Sequence, residues 1–89
     1  TGLLQDAIFS QHATGPGHPE CVARHTAVTE ALRASGLATT LAAIPTRAAE
    51  WPELERCHPP SYIEKVRREV AAGLDALSTG DTQISPGSY

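Results

Sequence analysis

Apolar residues gather at the start of the chain as Leu3-Leu4 and then Ala7-Ile8-Phe9, without helical spacing. That run predicts a short buried strand with a continuation. From about Pro19 to Ser35 the period lengthens. Val22, Val28 and Leu32 fall on one helical face with Ala31, and Gly36 reads as the C-terminal stop. Thr39-Thr-Leu-Ala-Ala-Ile44 is β-leaning and ends at Pro45, as an edge or short strand does. Glu50-Trp51-Pro52-Glu53-Leu54 predicts a short helix, with Pro52 in its first turn and acids at its positive end. The clearest amphipathic segment runs from about Pro60 to Ala72. Tyr62, Val66 and Val70 make its apolar stripe, Lys65, Arg67 and Arg68 its solvated face, and Gly73 its stop.

Beyond that helix, Ser78-Thr-Gly-Asp-Thr82 reads as a polar loop, and Ser85-Pro86 as a helix start. Strands alternating with helices imply a parallel α/β sheet, and such sheets are covered on both faces. One weak partner for the first strand does not supply that cover. The expected organisation is residues 1–89 as the opening portion of a single larger α/β domain.

Between the first strand and the first helix lies His12-Ala-Thr-Gly-Pro-Gly-His-Pro-Glu-Cys-Val-Ala-Arg24. Gly15 and Gly17 flank Pro16, so this stretch is an irregular loop. Pro19 suits a first helical position, with Glu20 beside it complementing the helix N-terminus. Such a loop aims His12, His18, Glu20 and Arg24 at one place, as sites are usually built.

Composition narrows the chemistry. Apolar residues make up 40% of the chain, but Ala supplies much of that, with one Trp, one Phe, two Tyr and no Met, so the core is thin. The net charge of −3 offers no basic face to nucleic acid or an anionic membrane. No apolar run approaches membrane-spanning length. Two cysteines far apart, without a signal-peptide pattern, argue for free thiols in a reducing cytoplasm.

Read together, five pieces resemble the N-terminal part of the zinc-dependent histone deacetylase superfamily. They are Asp6…His12, Gly-His18-Pro19-Glu20-x-x-x-Arg24, Arg47-Ala48 before Glu53-Leu54, Cys57-His58-x-x-x-Tyr62-Ile63, and Gly80-Asp81-Thr82-x-Ile84-Ser85-Pro86-x-Ser88-Tyr89. The likeness is nearest to bacterial class II-type deacetylases and acetylpolyamine amidohydrolases, and it covers nearly the whole chain. It accounts for roughly a quarter of a domain expected to run to ~300 residues. The fold it implies is an arginase-like α/β domain with a mostly parallel sheet flanked by helices.

The activity it implies is hydrolysis of an N-acetyl amide, in acetyl-lysine, an acetylpolyamine or a similar amine. In that family a zinc ion polarises the acetyl carbonyl and its bound water, histidines act as base and acid, and a tyrosine holds the oxyanion. The zinc ligands, the histidine pair and the tyrosine belong to motifs that these residues do not contain. The expectation is therefore zinc in the intact enzyme, none bound to these 89 residues, and no catalytic residue among them.

The resemblance implies a role for certain residues, each with a plainer alternative. Arg24 matches an arginine beneath the active site, in an internal pocket associated with acetate and water; otherwise it is a surface arginine on an amphipathic helix. Asp81 matches a rim aspartate that accepts hydrogen bonds from substrate; otherwise it makes a local turn. His12, His18, Pro19 and Glu20 are loop scaffold.

His18, Cys21 and His25 share a helical face with His12 nearby, which admits a metal-binding module. The preferred reading has His18 orienting the loop and Cys21 as a small buried group. His58 and Tyr62 are read as a packed pair, Cys57 as structural and Trp51 as cover for its short helix. The alternative to an enzyme is a non-catalytic helical module that binds a partner or a metal. The loop before Arg24 is also a place for contacts in a homo-oligomer.

Overall fold

Two short strands pair in parallel, β1 (Gly2–Leu3) against β2 (Ala42–Ala43), with Gly2 opposite Ala42 and Leu3 opposite Ala43. The ladder is closed by Ala42 N–H to Thr1 O at 3.1 Å and Ile44 N–H to Leu3 O at 2.9 Å. This computed structural model describes residues 1–89 throughout. Between the strands runs α1 (Val22–Ala34), and after them come α2 (Trp51–Leu54) and α3 (Pro60–Ala71). The architecture is α/β, with helices alternating around a parallel strand pair.

The core lies at the other end of the chain. Only 5 of 89 residues are buried, and four of them are Ile63, Val70, Leu77 and Ile84. Val70, Leu77 and Ile84 pack together, with Tyr62 and Val66 against them, so the predicted α3 stripe is the face that makes the core. An antiparallel bridge between Ala76 and Gln83 folds the following segment back over that face. Gly73, in the left-handed region at φ 73°, ends α3 as its sequence predicts. Its N–H reaches Val70 O at 3.0 Å while Leu74 N–H reaches Glu69 O at 3.2 Å, satisfying two terminal carbonyls.

Several sequence expectations are corrected. Ala7–Phe9 does not continue the strand; Ala7–Gln11 is a 3₁₀ turn, because the Asp6 carboxylate accepts from Ile8 N–H at 2.9 Å and caps it. That hydrogen bond, with one from Thr46, also holds the Asp6 pKa below its ordinary value. The helix expected from Pro19 begins at Val22, since the Glu20 backbone is bonded into the preceding loop. Its half-buried face carries Val22, His25, Thr29 and Leu32, and Val28 lies off it at 60% exposure.

The second strand is also shorter than predicted. Leu37–Thr39 is a 3₁₀ turn in which the Thr39 and Thr40 hydroxyls bond back to Gly36 O and Leu37 O, both at 2.8 Å. Ser85-Pro86 opens a turn instead of a helix, closed by Ser88 N–H to Ser85 O at 2.9 Å. Cys21 and Cys57 are both exposed free thiols, so neither is a buried structural group. Trp51 is 39% exposed and donates its indole N–H to Glu55 Oε1 at 2.7 Å; it does not cover the core.

The shape is open. The radius of gyration is 15.3 Å, against about 12 Å for a compact chain of this length. The accessible surface is 6524 Å², where a folded monomer of this size has about 5,000 Å². Ile8, Phe9, Val28, Leu37, Ile44 and Tyr89 stand exposed on it.

Candidate functional site

The Gly-Pro-Gly loop is held by its own side chains. His18 N–H donates to Gly15 O at 3.2 Å, and the Thr14 hydroxyl donates to Glu20 O. His18 Nδ1 stands 3.0 Å from Glu20 N–H, which donates to it. His18 thus orients the loop through the Glu20 backbone, with Pro19 in the bend between them. The Glu20 carboxylate pairs with Arg24 one helical turn on, with both side chains well exposed. An exposed pair of this kind contributes little to stability.

Around it opens a cleft of about 300 Å³ whose lining includes His12, Thr14, Glu20, Arg24, His25 and Phe9. The structure therefore brings His12, Glu20 and Arg24 to one concave surface. Asp81 is not part of that lining. It sits exposed on the loop between Leu77 and Thr82, whose base is closed by Leu77 N–H to Thr82 O at 2.9 Å.

The back of the loop is clasped by a distant segment. His12 Nδ1 is 2.6 Å from Ser88 Oγ. Ser88 Oγ also accepts from Ser85 N–H at 2.8 Å, so its proton is free for an unprotonated His12 Nδ1. Ser85 Oγ accepts from Ala13 N–H at 2.9 Å and donates to Gln11 O at 3.2 Å. Gln83 Oε1 accepts from Gly15 N–H. Nothing in the sequence directly marks Gln11, Gln83, Ser85 and Ser88 as site residues. The Ser-Pro-Gly-Ser turn carrying two of them was the available signal.

The remaining candidates fall into place locally. His58 and Tyr62 meet with ring centroids 5.3 Å apart, the pair expected from their spacing, although His58 is itself exposed. Phe9 meets the His25 ring edge-on at 6.2 Å, and His25 Nδ1 lies 3.1 Å from Ser10 Oγ. Arg47 grips Glu53 with two hydrogen bonds of 2.6 and 2.8 Å, and Glu53 also accepts from Glu50 N–H at 2.8 Å. The Arg47 guanidinium, followed by that backbone N–H, pulls the Glu53 carboxyl down to about 2.

No three His, Cys, Asp or Glu side chains are gathered so as to hold an ion. His12, His18 and His25 each hold Nδ1 within hydrogen-bond distance of a protein partner, Ser88, the Glu20 backbone and Ser10 respectively, which sets the orientation of each ring. No helix is long and apolar enough to cross a membrane.

No family model matches the chain, and no solved structure does. Among curated proteins it is similar to slr0245 of Synechocystis sp., an uncharacterized protein, at 38% identity over 90 residues. The match takes in 98% of the chain and 29% of that relative, so the chain spans less than a third of the length of the curated protein it matches.

Proposed function

We propose that these residues are part of a zinc-dependent deacetylase of the histone deacetylase superfamily, with an arginase-like α/β fold. The full-length enzyme hydrolyses an N-acetyl amide, in acetyl-lysine, an acetylpolyamine or a similar amine. One observation carries this reading: two motifs of the resemblance, 76 positions apart at His12 and Ser88, meet in a hydrogen bond. The open parallel strand pair and the excess accessible surface support a larger domain around them.

In this reading each residue has a defined task. His12, His18, Pro19 and Glu20 shape the loop, and Arg24 supplies a permanent positive charge in the internal pocket. Asp81 accepts hydrogen bonds from the substrate and so fixes its orientation. Zinc supplies the Lewis acid in this superfamily. In this reading the metal site, the base and the oxyanion donor are carried by motifs that residues 1–89 do not contain. The exposed thiols of Cys21 and Cys57 fit a reducing cytoplasm.

The test is acetate release by the full-length protein, supplied with zinc, from an acetyl-lysine peptide and from N-acetylated polyamines. Turnover of at least one class, and none by residues 1–89 alone, is expected. Failure of the full-length protein on both classes overturns the reading, as does turnover by residues 1–89.

A further inference from the structure

Glu69 is the one charged side chain buried in the chain, at 8% exposure on the core face of α3. Burying a carboxylate is costly unless its oxygens are hydrogen-bonded. Both of them are bonded, and both to the same residue: Oε2 accepts from Ser78 N–H at 2.9 Å and Oε1 from Ser78 Oγ at 2.6 Å. These bonds, helped by Lys65 and Arg68, hold the Glu69 pKa below its ordinary value, so the acceptor is the carboxylate.

Ser78 opens the loop whose tip carries Asp81. Next to it the loop is gripped by Leu77, buried at 3%, and Gly80 N–H closes back on Leu77 O at 3.2 Å. Leu77 N–H to Thr82 O at 2.9 Å closes the loop's base, and Ser78 supplies the side-chain bonds that fix it to the helix. A charge-assisted bond pair is stronger than neutral ones, and using two donors of one residue fixes its orientation as well as its distance.

The geometry points to Glu69 as a positioning residue, which anchors Ser78 at two atoms and so presents Asp81 to substrate in one orientation. This rests on Asp81 being the substrate contact proposed above. Glu69 touches no substrate itself. A helix-borne carboxylate is a rigid support, and a loop held in advance loses less entropy on binding.

The experiment uses the full-length protein with Glu69→Gln, Asp81→Ala and the double variant, read by steady-state kinetics on the acetylated amines and by amide hydrogen exchange. Glu69→Gln is expected to raise exchange at Ser78–Thr82 roughly tenfold or more, leaving α1 unchanged. It is expected to raise KM roughly tenfold with kcat nearly unaltered, and to add nothing in the Asp81→Ala background.

Unchanged loop exchange overturns the anchoring. A normal KM despite faster exchange overturns the positioning role, and so do effects that add in the double variant. If Asp81→Ala leaves KM and kcat untouched in an active enzyme, the assigned substrate contact is wrong, and Glu69's role falls with it. If the wild type hydrolyses none of the acetylated amines, the functional reading fails and carries the substrate-facing half of the inference with it; exchange alone then decides the anchoring half.

Discussion

Ser88 accepts from Ser85 N–H and meets His12 Nδ1, so one hydroxyl ties a turn to a loop far away in sequence. The approach is close enough that Gly87 has no room for a side chain. A Cβ there would stand 2.3 Å from Gln11 O and 2.5 Å from its carbonyl carbon, and backbone atoms cannot swing aside. Gly87→Ala is expected to destabilise the full-length protein by about 1–3 kcal/mol, the usual cost of overpacking. Urea unfolding measures it, and a midpoint equal to wild type would remove the clasp from the account. The sequence marks His12 and, separately, the motif holding Ser88, but not that the two meet. Side-chain pairing between distant segments leaves no local period, and Ser85-Pro86 signals a helix start although Gly87 and Ser88 complete a turn.

Among the elements, α3 was the most legible, because its apolar stripe, initial prolines and terminal Gly73 all agree with one another. The register of its core face followed from that stripe alone. Its buried Glu69 did not, since nothing local announces that Ser78 will return to meet it. The strand and α1 are less legible. Asp6 capping turned an apolar run into a 3₁₀ turn, and loop bonds to Glu20 delayed the helix by three residues.

At α2 the Arg47–Glu53 ion pair, with the bond from Glu50 N–H to the same carboxylate, adds a pH dependence. A depressed carboxyl stabilises the folded form fully above its unfolded value of 4.5, and that contribution fades as pH falls through about 2. Carboxyl NMR of the full-length protein should therefore show Glu53 titrating far below 4.5, and Arg47→Ala should move it back up. A wild-type midpoint near the ordinary value would refute the pairing.

For the molecule as a whole, the α/β alternation and parallel pairing were readable in the order of elements. How little of the surface would be covered was not, because periodicity marks a face without saying what lies on it. With 5 of 89 residues buried, residues 1–89 alone lack the core that cooperative unfolding requires. In isolation they are expected to bind the dye ANS and to unfold gradually in urea, whereas the full-length protein should do neither. A sharp two-state transition in the isolated residues would favour the free-standing module instead.

The clasp also bears on the order in which the molecule assembles. Glu69 and Ser78 are 9 positions apart, whereas Ser85 reaches back 74 positions to Gln11. Closing a loop of that size costs about 4 kcal/mol of chain entropy, before any of its bonds reward it. Local contacts around α3 therefore form early, and the high-contact-order clasp forms late. During synthesis His12 emerges long before Ser88, so the rim of the cleft stays unfinished until the turn has left the ribosome. Ile8 and Phe9 stay 51% and 43% exposed even with the clasp closed, so the clasp fixes the shape of the rim without covering its apolar side chains.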